Sequence, residues 1–101
     1  MARYKMDNGI IADTEKATGR WRERREWDGC NHYGRSSKSQ WHDQILYRSK
    51  KGNYYVENQS REDGISDSAE WVTPQEAASW LLVNDYNLPE GLAEFDEKLI
   101  E

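Results

Sequence analysis

The residues best suited to chemistry in this chain stand close together in its middle: Cys30, His32, His42 and Asp43. A thiol, two imidazoles and a carboxylate can ligate a metal ion, and a Cys beside a His can act as a nucleophile with its base. The spacing favours neither. Structural zinc sites pair their ligands at CxxC or HxxxH spacing, and no family signature surrounds Cys30. We therefore interpret these residues as a loop cysteine and surface histidines, and predict neither a metal site nor a catalytic residue.

Other enzyme signatures are missing from the sequence. Gly29 and Gly34 lack the surrounding residues of a phosphate-binding loop. The acidic pair Glu62-Asp63 stands among other charged residues, which is typical of a solvated surface. We predict that the protein uses no cofactor and is not an enzyme.

Basic residues that alternate with tryptophans form a second candidate site. Cations hold a phosphate backbone and indole rings stack on bases, so this pattern indicates direct binding of nucleic acid. Glu23, Glu26 and Asp28 interrupt the run, which leaves an exposed strand face with inward tryptophans as the structural alternative. The residues of this candidate basic face are Arg20, Arg22, Arg24, Arg25, Arg35, Lys38, Lys50 and Lys51.

Charge is divided unevenly along the chain, whose formal net charge is −5. Residues 1–61 hold 13 Lys and Arg against 8 Asp and Glu, whereas residues 62–101 hold one Lys against 11 Asp and Glu. The acidic part is either a solvated surface or one that docks on a basic, nucleic-acid-binding surface of a host protein; self-association is a further alternative. The expected contacts are Glu62, Asp63, Asp67, Glu90, Glu94, Asp96 and Glu97.

Length and composition predict one domain over residues 1–101, with five Trp and six Tyr supplying much of its core. A single cysteine permits no intramolecular disulfide. No apolar run follows the N-terminus, and none is long enough to cross a bilayer. We therefore expect a cytoplasmic protein with no membrane partner.

Strand signals dominate the first seventy residues. Asn8-Gly9 between short apolar runs predicts a hairpin, and a turn or single helical turn follows over residues 15–17. Residues 20–27 predict one strand with Trp21 and Trp27 facing inward, followed by a loop over 28–40. Further strands are predicted over 41–48, 54–58 and 69–72, with a polar loop over 59–68.

Helix signals follow the strands. Thr73, Pro74 and Glu76 form an N-cap, a first-position proline and a capping box, and a second, weaker helix is predicted from Pro89. The order predicts an α+β fold, an antiparallel sheet of four to five strands with the C-terminal helices packed on one face. The predicted core is a single cluster of Trp41, Ile45, Tyr47, Tyr54, Val56, Trp71, Trp80 and Leu81.

Three stretches, residues 13–17, 45–56 and 72–81, together carry a family resemblance. In this order they resemble small, largely uncharacterised proteins of bacterial plasmids, phages and other mobile elements. The resemblance implies a strand hairpin followed by a helix, and it supplies no catalytic residues. It also implies a context in which small acidic proteins inhibit host machinery, as anti-CRISPR proteins do. The leading hypothesis is thus a mobile-element inhibitor or regulator that binds a protein, plausibly a host nuclease, and the alternative is a nucleic-acid-binding regulator.

Overall fold

The computed structural model describes residues 3–6, 9–27, 29–38, 41–60, 64 and 66–95. It is an α+β fold with antiparallel strands and one α-helix, which confirms the predicted fold class. The strands are β1 (Arg3–Lys5), β2 (Ile11–Asp13), β3 (Gly19–Arg22), β4 (Arg25–Trp27), β5 (His32–Gly34), β6 (His42–Arg48), β7 (Tyr54–Ser60) and β8 (Ser68–Val72). The helix is α1 (Pro74–Val83), and 3-10 helices span Thr14–Lys16 and Glu90–Phe95.

The central sheet has four strands in the order β3-β6-β7-β8, all antiparallel. Its middle is the predicted hairpin of β6 and β7, which pairs Leu46 with Val56 and Tyr47 with Tyr55. Gly52 closes the turn with a φ of 89°, in the left-handed region that glycine tolerates best. Two small sheets, β1-β2 and β4-β5, accompany the central one.

Helix α1 begins as the sequence predicts. Thr73 accepts a hydrogen bond from the backbone N–H of Glu76, whose carboxylate accepts one from the backbone N–H of Thr73, completing the capping box. The helix buries Ala77 and Leu81 against the sheet, and the side of the sheet that it covers is called the helix face below. The second predicted helix is a 3-10 helix that buries Leu92 in the same cluster; Leu99 lies outside the described residues.

The prediction of one core under a one-sided sheet is wrong, because apolar clusters cover both faces. Leu46 and Val56 belong to the helix-face cluster, whereas Ile45, Tyr47 and Tyr55 pack under the β1-β2 hairpin on the opposite side, called the hairpin face. Neighbouring residues of β6 and β7 point to opposite faces and are buried on both, as in a strand covered from two sides.

The predicted single strand over residues 20–27 is also wrong. It breaks at Glu23 and Arg24, so that β3 joins the central sheet and β4 pairs with β5 inside the predicted loop. Trp21 packs on the helix-face cluster as expected, but Trp27 is 59% exposed. Trp41, predicted in the core, is 51% exposed because β6 starts one residue after it.

Within the described residues, no helix is long and apolar enough to cross a membrane.

Candidate functional site

The break between β3 and β4 is held by the buried carboxylate of Glu23. Its Oε2 accepts hydrogen bonds from the backbone N–H groups of Ser36 (3.1 Å) and Ser37 (2.9 Å). Its Oε1 accepts from the Ser37 hydroxyl at 2.8 Å and from the backbone N–H of Gln44 at 3.1 Å. The Glu23 carboxylate therefore accepts hydrogen bonds from backbone N–H groups that have no strand partner at this break. In doing so it links the turn after β5 to β6.

Two arginines, Arg25 and Arg35, connect the β4-β5 hairpin to other segments through ion pairs and hydrogen bonds. Arg25 contacts Asp43 at 2.5 Å and donates to the backbone carbonyl groups of His32 (3.3 Å) and His42 (3.2 Å). Arg35 contacts Glu26 and Asp85, each at 2.5 Å. These ion pairs cross-link four segments of the chain, which fixes the direction in which the hairpin projects.

The pKa values of the partner carboxyls follow from these contacts. A hydrogen bond from the Tyr33 hydroxyl, and then one from Arg35, hold the pKa of Glu26 below its usual value. A hydrogen bond from Arg35 likewise lowers the pKa of Asp85. Both carboxylates therefore stay ionised across the neutral range, and Arg35 stays paired.

The β4-β5 hairpin exposes Trp27 and His32, and Trp41 is exposed just before β6; these three side chains are defined here as the aromatic surface. The rings of Trp27 and His32 lie 4.9 Å apart at a tilt of 50°. Trp41 directly precedes His42, and Arg25 bridges the carbonyl groups of His32 and His42, so the backbone just before β6 lies beside the hairpin that carries Trp27 and His32. The indoles of Trp27 and Trp41 are thus exposed to solvent beside segments that ion pairs hold together. Exposed large aromatic side chains are more common in interfaces than elsewhere on protein surfaces.

The candidate basic residues do not gather on one face. Arg20 and Arg22 are exposed on the hairpin face of β3, and Lys50 and Lys51 are exposed in the turn between β6 and β7. Lys38 is exposed in the turn after β5. The remaining three make internal contacts: Arg25 and Arg35 as described, and Arg24 with its guanidinium 4.6 Å from the centre of the Tyr86 ring.

Three of the seven candidate acidic residues fall within the described part of the chain. Asp67 is exposed beside the hairpin face and accepts a hydrogen bond from the backbone N–H of Ser60 at 3.0 Å. Glu94 is exposed on the 3-10 helix that packs on the helix face, and Glu90 begins that helix. Glu62, Asp63, Asp96 and Glu97 lie outside the described residues.

The cysteine and histidines occupy the same region as the aromatic surface. Cys30 is exposed in the turn between β4 and β5, His32 pairs with Trp27, and Asp43 pairs with Arg25. In the part of the chain that the structure describes, no three His, Cys, Asp or Glu side chains are grouped so that they could hold a metal ion.

A polar cavity of about 350 Å³ opens on the hairpin face. Glu57, only 2% exposed, is one of its lining residues and accepts hydrogen bonds from three neutral groups. These are the hydroxyl of Tyr4, the hydroxyl of Tyr47 at 3.3 Å and the side-chain amide of Gln59 at 3.1 Å. The described residues that line it are Thr14, Glu15, Arg20, Tyr47, Glu57, Gln59 and Asp67.

A wider groove of about 480 Å³ lies between α1 and the edge of the sheet. Trp80 forms part of its wall and donates a hydrogen bond from Nε1 to the side-chain oxygen of Gln44 at 3.1 Å. Arg35 and Lys38 line the groove together with Glu70 and Glu76, so cations and carboxylates are mixed along it. That mixture favours no one ligand charge.

Sequence reasoning missed both the aromatic surface and the cavity. It assigned Trp27 and Trp41 to the interior, and it did not single out Glu57. A signal for the first was present, because strand alternation places Glu23 and Arg25 on the same predicted inward face as Trp21 and Trp27, where those charged groups would need partners. No local pattern marks Glu57, whose burial depends on Tyr4 at the far end of the chain.

No protein-family model, no curated protein and no solved structure matches this chain. The resemblance to proteins of mobile elements therefore stays a prediction.

Proposed function

We propose that this protein is a binding module that docks on a partner protein through the aromatic surface. The supporting observation is the exposure of Trp27 (59%) on a hairpin that ion pairs hold in place, and of Trp41 (51%) just before β6. Tryptophan is the residue type most enriched among those that dominate binding energy in interfaces. A rigid support also lowers the entropy lost on association, because the rings are already positioned.

A protein partner fits the local charges better than nucleic acid does. Binding to a phosphate backbone depends on cations that can reach phosphate. The two arginines nearest the aromatic surface are instead engaged with carboxylates, Arg25 with Asp43 and Arg35 with Glu26 and Asp85. An aromatic centre with neutralised charge around it is typical of a protein interface.

The acidic segment supplies a second, separable contribution to this proposal. Its excess charge would attract a basic partner from a distance and raise the association rate, while the indoles would slow dissociation. The narrower prediction, that the partner is a host nuclease and the protein its inhibitor, is carried by the family resemblance alone.

The test begins with capture from a bacterial lysate by the wild type and by W27A/W41A, followed by mass spectrometry. The matched control is V83A, which truncates another half-exposed apolar side chain on α1. We expect one protein to be retained by the wild type and V83A, to be lost with W27A/W41A, and to survive nuclease treatment of the lysate. Retention by W27A/W41A, or loss on nuclease treatment, contradicts the proposal.

The purified partner then separates the two contributions by binding kinetics. Each Trp→Ala change should weaken binding by about 2 kcal/mol or more, mainly through faster dissociation. The triple reversal E90K/E94K/E97K should instead slow association and reduce its dependence on salt. An unchanged association rate for that variant removes the acidic segment from the interface and leaves the role of the indoles standing.

A further inference from the structure

The polar cavity is distinct from the aromatic surface and has its own chemistry. It opens on the hairpin face, and its volume of about 350 Å³ lies at the lower end of the range of small-molecule pockets. None of the three aromatic-surface residues lines it.

Glu57, one of the residues that line the cavity, is a buried carboxylate that forms no ion pair with any described residue. Within the described residues, no Lys, Arg or His nitrogen lies within 4.0 Å of Glu57, and its three hydrogen-bond donors are uncharged. A carboxylate offers about four acceptor positions, of which the described residues fill three and leave the fourth open. Burying a charge is unfavourable, and an opposite charge placed beside it offsets part of that cost.

The donors hold this carboxylate in a fixed orientation. Tyr4 and Tyr47 approach its two oxygens separately, from β1 and from β6. Burial, and then the negative charge of Glu57, raise the pKa of the Tyr47 hydroxyl, so the hydroxyl stays a donor at neutral pH. The carboxylate therefore stays in place without needing a ligand to order it.

The rim adds further negative charge. Glu15 and Asp67 contribute two carboxylates, and Arg20 contributes one guanidinium that lies 5.9 Å from the centre of the Tyr47 ring. Among the lining residues that the structure describes, three carboxylates stand against one cation, an excess of two negative charges. The space thus attracts cations and repels anions.

We propose that the cavity binds a small organic cation carrying primary ammonium groups, such as an aliphatic diamine. A primary ammonium has three donors, which suits the open acceptor position of Glu57 together with the carboxylate of Asp67. A diamine also matches the two excess charges. A hard metal ion suits the site less well, because the tyrosine hydroxyls and the Gln59 amide already occupy three acceptor positions of the carboxylate that it would need.

The experiment is a titration of the full chain with 1,4-diaminobutane, followed by amide chemical shifts and calorimetry. The ligand control is 1,4-butanediol, which has a similar size and no charge. We expect saturable binding of the diamine, with shifts confined to the residues that line the cavity, and no binding of the diol. Equal responses to both compounds, or shifts spread over all acidic surfaces, overturn the proposal.

Three variants localise the binding. E57Q should abolish it, and D67N at the exposed rim should weaken it about tenfold, the effect of one charge-assisted hydrogen bond. The matched control E70Q removes an exposed carboxylate on the helix face and should change nothing. Because Glu57 is buried and E57Q can misfold, D67N against E70Q is the deciding comparison: equal affinities in those two variants refute the site.

Discussion

Replacing Glu23 by Gln tests whether one carboxylate holds the break between β3 and β4. The side chain has no solvent exposure, and four N–H or O–H donors converge on its two oxygens. Glutamine keeps the shape but turns one acceptor oxygen into a donor NH2 group. If its oxygen faces the turn at Ser36 and Ser37, its NH2 group faces the backbone N–H of Gln44, and two donors then oppose each other.

The expected cost follows from that geometry. One buried backbone N–H without an acceptor costs about 1–3 kcal/mol, and the remaining bonds lose the strength that a charged acceptor gives them. Arg25, whose Nη1 lies 3.9 Å from Glu23, also loses one of its two neighbouring carboxylates. We expect E23Q to lower the free energy of unfolding by about 3 kcal/mol, a large share of the roughly 5–15 kcal/mol of a small domain.

Equilibrium unfolding in urea measures this change. With a slope of about 1–3 kcal/mol per molar urea, the midpoint should fall by about 1–3 M. The matched control is E26Q, which alters a carboxylate of the same hairpin whose side chain is 41% exposed, and which should lower the midpoint much less than E23Q does. A loss below about 1 kcal/mol in E23Q, or equal losses in the two variants, would refute the role given to Glu23.

Three further changes probe other parts of the fold. Tyr55→Phe removes a buried hydroxyl that has no hydrogen-bond partner within the described residues, so the variant should be as stable as the wild type or about 1 kcal/mol more stable by urea unfolding; a clear loss would contradict this. Burial raises the pKa of Tyr55 to about 12, above the value near 10 of an unfolded chain, so wild-type stability should fall as the pH rises from about 10 to 12, and less steeply in Tyr55→Phe; parallel pH curves would count against it. Gly34→Ala places a Cβ against the carboxylate of Glu23 and should cost about 1–3 kcal/mol in thermal or urea unfolding, whereas an unaffected midpoint would show that the turn shifts freely. Thr73→Ala removes the N-cap of α1 and should cost about 1 kcal/mol, with Ser79→Ala at an exposed helix position as the near-neutral control.

Local signals were sufficient where the contacts that decide the structure are local. The capping box at Thr73 and Glu76 joins residues three positions apart, and the prediction of α1 is confirmed. The hairpin of β6 and β7 is likewise confirmed, because alternation in two nearby segments and the turn at Gly52 determine its register.

The break at Glu23 could not be predicted from its own neighbourhood. Its hydrogen-bond donors come from Ser36, Ser37 and Gln44, and only the folded chain brings them together. The spacing of Trp21 and Trp27 favoured one continuous strand, but the tertiary contacts of Glu23 overrode that local preference.

The second apolar face had a signal that the predicted one-sided sheet overlooked. Ile45, Leu46 and Tyr47 are three consecutive apolar residues, which indicates a strand buried on both sides. The candidate sites were harder to predict. Exposure of Trp27 and Trp41 contradicts the usual preference of large apolar side chains for the interior. An exposed tryptophan and a buried one have the same hydrophobicity, so the residue type alone does not distinguish them.

The pairing of β3 with β6 has a consequence for how the chain folds during its synthesis. Ribosomes deliver the N-terminal residues first, yet Trp21 pairs opposite Leu46, and the β1-β2 hairpin packs on Tyr47 and Tyr55, all of which are translated later. Strands β1, β2 and β3 are therefore synthesised before the residues on which they pack. By contrast, β6, β7, β8 and α1 follow one another along the chain and can assemble from neighbouring segments. We therefore expect β1, β2 and β3 to become native last, and a slow step in translating residues 42–60 to prolong the exposure of their aromatic side chains to chaperones and proteases.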